Sequence, residues 1–173
     1  MARLRPMPEE RPEMTRPRRP ALLALAAAAL AAACAEPPPP TPPTNVALTV
    51  SRAQDMNGGA PAKVQVFYLT SPAKFETQDY FTLADEAQGA LGADLVGEEE
   101  YLLRPGEEVA ATQSFMPGPI TPSAIGVIAG FRSVDQPGGK ATAPLAANAN
   151  NAVSVSVGAD TVTIESGMES APE

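Results

Sequence analysis

Histidine is absent from this sequence, tryptophan is absent too, and cysteine occurs once. Without imidazole, the commonest general base near neutral pH and the commonest metal ligand are both missing. A lone thiol makes no intramolecular disulfide and no thiolate zinc site. Catalysis would have to rest on a carboxylate pair or a Ser/Thr–Lys arrangement, and neither is recognisable by spacing. The expectation is a protein that is not an enzyme and holds no metal and no dissociable cofactor. Positive charge is also scarce. Residues 34–173 carry six basic side chains (Arg52, Lys63, Lys74, Arg104, Arg132 and Lys140) against 17 acidic ones, a net charge of −11. Such a surface repels phosphate, which argues against nucleic acid and against anionic lipid head groups as partners.

Long apolar runs are few as well, and the one that stands out, residues 21–33, is built only of Ala and Leu. It is too short to span a bilayer as a helix, and the basic segment 14–20 precedes it, the order of a secretory signal. The run ends at Cys34, with Ala31, Ala32 and Ala33 immediately before it. Small residues beside a lone cysteine are what a lipoprotein signal peptidase needs, although Leu30 lies four residues before Cys34 where three is usual. Residues 1–33 are therefore expected to be a signal peptide. Cys34 would carry diacylglycerol on its thiol and an acyl chain on its amine. Glu9, Glu10 and Glu13 do not suit such a signal and raise Met14 as an alternative start. Ala35 is not Asp, so the expected destination is the outer membrane, facing the periplasm. Each buried methylene contributes about 0.8 kcal/mol, so three acyl chains would make attachment effectively permanent.

Residues 35–44 read Ala-Glu-Pro-Pro-Pro-Pro-Thr-Pro-Pro-Thr. Such a segment favours polyproline II, and ten residues at about 3.1 Å each make a semi-rigid linker of roughly 30 Å, a stalk long enough to hold a domain clear of the membrane.

Residues 45–165 make one domain, long enough to bury a core without staples. Period-two alternation dominates it, as in strands with one face inward. Val46, Leu48 and Val50 share a face, as do Val64, Val66 and Tyr68, while Phe67 and Leu69 make the second face of that strand apolar and suggest a central position. Pro105-Gly106 reads as a type II turn between the strand ending at Arg104 and a returning strand at 109–115. Residues 124–131 are apolar throughout, with Gly126 and Gly130 admitting a close backbone neighbour. Val153, Val155 and Val157, then Val162 and Ile164, read as a hairpin. Between the second and third strands, Phe75, Tyr80, Phe81, Leu83 and Ala84 follow helical spacing, and Gly89 and Gly92 mark the exit. Seven or eight strands with a short helical insertion make a mostly β, two-sheet sandwich. Residues 166–173 are expected to be a disordered tail.

Five further segments stand in order along the domain: Pro61-Ala-Lys-Val-Gln-Val-Phe-Tyr-Leu69; Phe75 with Asp79-Tyr-Phe-Thr-Leu83; Leu91-Gly-Ala-Asp-Leu95; Leu103-Arg-Pro-Gly106; and Ile125-Gly-Val-Ile-Ala-Gly-Phe-Arg132. Together they resemble the outer-membrane lipoprotein family of the type VI secretion system, TssJ. The resemblance covers essentially the whole folded domain. It departs from the family after the last motif, where a Trp-Arg pair is common and this chain has Gly138-Gly-Lys-Ala-Thr-Ala-Pro144. The resemblance implies a transthyretin-like β-sandwich that tethers a trans-envelope complex to the outer membrane by binding the periplasmic C-terminal region of TssM. It also implies that the loop between the first two strands contributes to that contact, here Asp55, Met56, Asn57, Gly58, Gly59 and Pro61. Read from the residues, this loop offers an exposed apolar Met56 on a segment made flexible by Gly58 and Gly59, and loops on a rigid scaffold are favoured binding positions.

The alternative is a periplasmic lipoprotein whose sandwich binds a small molecule or glycan. Glu98-Glu-Glu100 lacks the loop pattern of a calcium site and reads as a solvated face. Phe67, Tyr68, Phe75, Tyr80 and Phe81 read as core rather than as a ligand pocket.

Overall fold

A computed structural model describes residues 37–104, 107–132 and 139–168. The expected signal peptide and Cys34 lie outside the described residues. Eight strands form two four-stranded sheets. The first contains β1 (Thr44–Arg52), β4 (Val109–Phe115), β7 (Asn150–Val157) and β8 (Val162–Met168), in the order β4-β1-β7-β8. The second contains β2 (Ala62–Leu69), β3 (Leu95–Leu103), β5 (Ala124–Gly130) and β6 (Lys140–Pro144), in the order β3-β2-β5-β6. Neighbours run antiparallel except β1 and β7, which are parallel, with Val50 beside Val155. This is the two-sheet sandwich that the alternation predicts.

The alternating faces meet between the sheets. Val46, Leu48 and Val50 of β1, Val153, Val155 and Val157 of β7, and Val64, Val66 and Tyr68 of β2 form one core. β2 and β5 are apolar on both faces because a second core lies outside their sheet. There Phe67, Leu69 and Ile128 pack under helices α1 (Ala73–Thr77) and α2 (Tyr80–Leu91), against Phe75, Leu83 and Leu91. Asp79 caps α2, accepting the Thr82 N–H at 3.0 Å. Gly92, at φ 57°, ends it, the second of the two glycines expected to mark the exit. Lys140 of β6 closes the C-terminus of α1, its ammonium donating to the carbonyls of Glu76 at 2.9 Å and Gln78 at 2.8 Å.

Several expectations are corrected. β3 and β4 are not a hairpin. The Arg104 carbonyl accepts the Glu107 N–H at 3.1 Å, and between β3 and β4 the chain passes from one sheet to the other; the type II turn expected at Pro105-Gly106 lies outside the described residues. Gly126 and Gly130 admit aromatic side chains rather than a backbone. A Cβ on Gly126 would lie 2.8 Å from Cζ of Phe75, and one on Gly130 would lie 2.5 Å from the Tyr80 hydroxyl. Phe81 is exposed, because Tyr80 and Leu83 take the inward face of α2. β8 continues to Met168, past the boundary expected at Glu165.

The topology gives the sandwich two poles. At one lie the β1–β2, β3–β4, β5–β6 and β7–β8 connections. At the other lie the start of β1, the helical connection, the β4–β5 and β6–β7 loops and the end of β8. The chain enters at this second pole, where Asn151 locks it. The Asn151 amide donates to the carbonyls of Asn45 and Ala146 at 3.2 and 3.0 Å and accepts the Ala146 N–H at 2.7 Å.

Candidate functional site

The β1–β2 connection sits at the far pole from the chain entry, and it is a compact turn. Residues Met56–Gly59 form a short 3-10 segment in which Asn57 and Gly58 are left-handed, at φ 51° and 63°, followed by Gly59 at 81°. Two glycines supply that conformation at no steric cost, and Asn is the other residue type that tolerates it. Gly58 and Gly59 thus fix a tight turn rather than loosen the loop. Met56 is fully buried and belongs to the inter-sheet core, which corrects the expectation of an exposed apolar anchor. The exposed residues of the loop are Ala53, Gln54, Asp55, Gly58, Gly59 and Pro61.

Asn57 holds this turn to the rest of the pole. Its amide donates to the Pro61 carbonyl at 2.9 Å, its side-chain oxygen accepts the Arg132 N–H at 2.8 Å, and its own N–H donates to the Ala159 carbonyl at 3.0 Å. The β1–β2 turn, the end of β5 and the β7–β8 turn therefore form one unit. Between them is an open concavity of about 220 Å³ lined by Asn57, Gly58, Phe131, Arg132, Ala159 and Asp160. Sequence reasoning singled out the loop but missed Ala159 and Asp160, since the register that brings the β7–β8 turn alongside is non-local.

All three arginines of the folded domain, Arg52, Arg104 and Arg132, lie at the ends of strands at this pole. Arg52 follows Val46, Leu48 and Val50 on the core-facing side of β1. Its Nε and Nη1 are buried without a hydrogen-bond partner among the described residues. Arg132 projects into solvent beside the concavity.

A second polar group closes the seam between edge strands β3 and β4. Glu99 points inward, between exposed Glu98 and Glu100, so the acidic run is a solvated face only at its two outer members. Its carboxylate accepts the hydroxyls of Tyr68 at 2.8 Å and Tyr101 at 3.0 Å and the side-chain amide of Gln113. Burial first, and the hydrogen bond to an anion second, push the Tyr68 phenol far above its ordinary range and the Tyr101 phenol up to about 12. The Glu99 cluster is structural, because its acceptor and donors satisfy one another.

No curated protein matches the chain. Solved structures of similar fold include "Crystal structure of the T6SS lipoprotein TssJ1 from Pseudomonas aeruginosa", 29% identical, with a TM-score of 0.67 over 76% of this chain and 100% of that one. Another is "The Structure of Serratia marcescens Lip, a membrane bound component of the Type VI Secretion System", 20% identical, with a TM-score of 0.62 over 70% and 97%. A third is a chain in a structure described as "T6SS protein TssM C-terminal domain (869-1107) from EAEC", 18% identical, with a TM-score of 0.54 over 69% and 99%. The two below 25% identity bear on the fold alone. The family model T6SS-SciN, described as type VI secretion lipoprotein, VasD, EvfM, TssJ, matches residues 44–160, from the first residue of β1 to the β7–β8 turn. The chain belongs to the type VI secretion lipoprotein family.

Proposed function

We propose that this lipoprotein is a structural, non-enzymatic subunit of the type VI secretion membrane complex, tethering it to the outer membrane. Acyl chains on Cys34 fix one end in the periplasmic leaflet, and the proline-rich segment supplies reach. The pole built around Asn57 binds the periplasmic C-terminal region of TssM. The observation that carries this reading is the polarity of β1. The chain from Cys34 enters at Thr44, and the same nine-residue strand ends at Arg52, at the candidate binding pole. A pull between anchor and partner would load β1 along its axis while β4 and β7 hold both its sides, so ladder bonds on two flanks resist together. Membership of the type VI secretion lipoprotein family supports the choice of a partner within that complex.

Co-purification tests it. Residues 35–173 should retain the periplasmic C-terminal region of TssM, and shortening 55–60 should abolish retention. In cells, Cys34→Ser should leave the protein out of the outer-membrane fraction and block secretion. A chain that ignored TssM and bound sugars or small molecules would favour the glycan- or ligand-binding alternative.

A further inference from the structure

The pole where the chain enters differs chemically from the rest of this acidic protein. Met116, Ile120 and Met168 are 78%, 63% and 74% exposed, and they make up three of the five large hydrophobic side chains exposed among the described residues. All three sit at this pole: Met116 and Ile120 on the β4–β5 connection, which leaves β4 beside Thr44, and Met168 opposite Asn151 at the end of β8. The segments that build the tip, residues 37–45, 115–124, 143–151 and 166–168, contain no ionisable side chain. Charged groups border these segments without entering them: Lys74 and Asp94 pair at 3.1 Å, Glu76 accepts the Thr142 hydroxyl at 3.2 Å, and Glu36, Glu165 and Glu169 adjoin them in sequence.

We infer that this uncharged tip rests on the phospholipid surface in which Cys34 is anchored, with Met116, Ile120 and Met168 dipping into the boundary between head groups and acyl chains. The inference depends on the proposed lipid anchor. An acidic domain is repelled by an anionic leaflet through its flanks, and the tip is where that repulsion is weakest while apolar side chains gain by partitioning. The β4–β5 connection is also inexpensive to desolvate. Pro117, Pro119 and Pro122 have no N–H to bury, the Thr121 hydroxyl donates to the Gly118 carbonyl at 2.9 Å, and the Ser123 hydroxyl donates to the Thr70 carbonyl at 2.6 Å. Reach permits the contact, because ten residues separate Cys34 from Thr44 and about 30 Å is the upper limit of a polyproline II segment of that length. Lying along the interface, the segment brings the tip down instead of holding it away.

The test uses the full lipidated protein in vesicles of phosphatidylethanolamine and phosphatidylglycerol, with part of the lipid brominated on its acyl chains. Lipidation leaves no free thiol, so Ile120→Cys, Met168→Cys and, at the opposite pole, Asp160→Cys each accept one environment-sensitive fluorophore. The expected result is flotation of all three with the vesicles, a blue shift at 120 and 168, and quenching several-fold stronger there than at 160. Flotation with equal, weak quenching at every position would overturn the contact and leave the anchor standing. Shielding of 120 and 168 from a water-soluble quencher without quenching by lipid would assign the tip to a protein and overturn it too. Failure to float would remove the anchor and the inference with it.

Discussion

The side-chain oxygen of Asn57 accepts the backbone N–H of Arg132 at 2.8 Å, joining residues 75 apart in sequence. Through that bond and its partners the β1–β2 turn acquires a fixed shape, and the surface proposed to meet TssM is pre-organised.

Asn57→Ala is therefore expected to destabilise the fold by about 2–4 kcal/mol, since it strands the Arg132 N–H and the Pro61 carbonyl and places a Cβ-bearing residue without a local polar group at φ 51°. Asn57→Gly keeps the conformation accessible and loses only the hydrogen bonds, so it should cost less. Urea unfolding of the two variants separates these effects. A loss below about 0.5 kcal/mol in Asn57→Ala would show that the turn does not depend on the side chain.

Alkaline pH probes the other pole-to-pole seam. The chain has three tyrosines, and all three phenols are held above their ordinary range, by burial in each case and by Glu99 for Tyr68 and Tyr101. A raised folded-state pKa favours the protonated form. Its stabilisation is complete below pH about 10, where the unfolded phenol titrates, and is lost as pH rises through the folded value, about 12 for Tyr101. In the native protein Tyr68 and Tyr101 should contribute almost no phenolate absorbance at pH 10, whereas protein in urea titrates normally. Glu99→Gln should bring the native titration of Tyr101 down. Normal native titration of all three would refute the Glu99 cluster.

How much of this could be read from the sequence depends on the range of the interaction. Val46, Leu48 and Val50, and Val153, Val155 and Val157, declare a half-buried strand through alternation alone, and Phe67 beside Tyr68 announces a strand covered on both faces. Strand pairing is non-local, so the Pro105-Gly106 turn suggested a hairpin that the register refuses, and the β7–β8 turn could not be seen as a neighbour of Asn57. Met56 looked exposed because a methionine among Asp, Asn and Gly has no periodicity around it. The left-handed Asn57 and Gly58 turn the chain back and put it in the core. Glu99 was hidden between two identical residues, and only the inward face of β3 distinguishes it.

The seat of the helices on their sheet makes another test. Gly126→Ala would push a Cβ to 2.8 Å from the Phe75 ring and should cost about 1–3 kcal/mol by overpacking. Shrinking the ring with Phe75→Leu has its own cost, but the double variant should be more stable than the sum of the two losses predicts, with a coupling above about 0.5 kcal/mol. Additive losses would mean that α1 shifts freely and that the glycine is not there for the ring.

Arg52 poses the remaining question, since a core-facing guanidinium with two buried nitrogens lacking a partner among the described residues is a stability liability. Met has similar reach along the apolar wall and no charge to desolvate. Arg52→Met should therefore raise unfolding free energy by about 1 kcal/mol, read from urea titration. If the pole around Asn57 is where TssM docks, the same variant should retain less TssM, because an arginine kept at a cost in stability is available to a carboxylate or carbonyl of the partner. Higher stability with unchanged retention would separate Arg52 from binding. Lower stability would mean that its nitrogens are satisfied in the free protein.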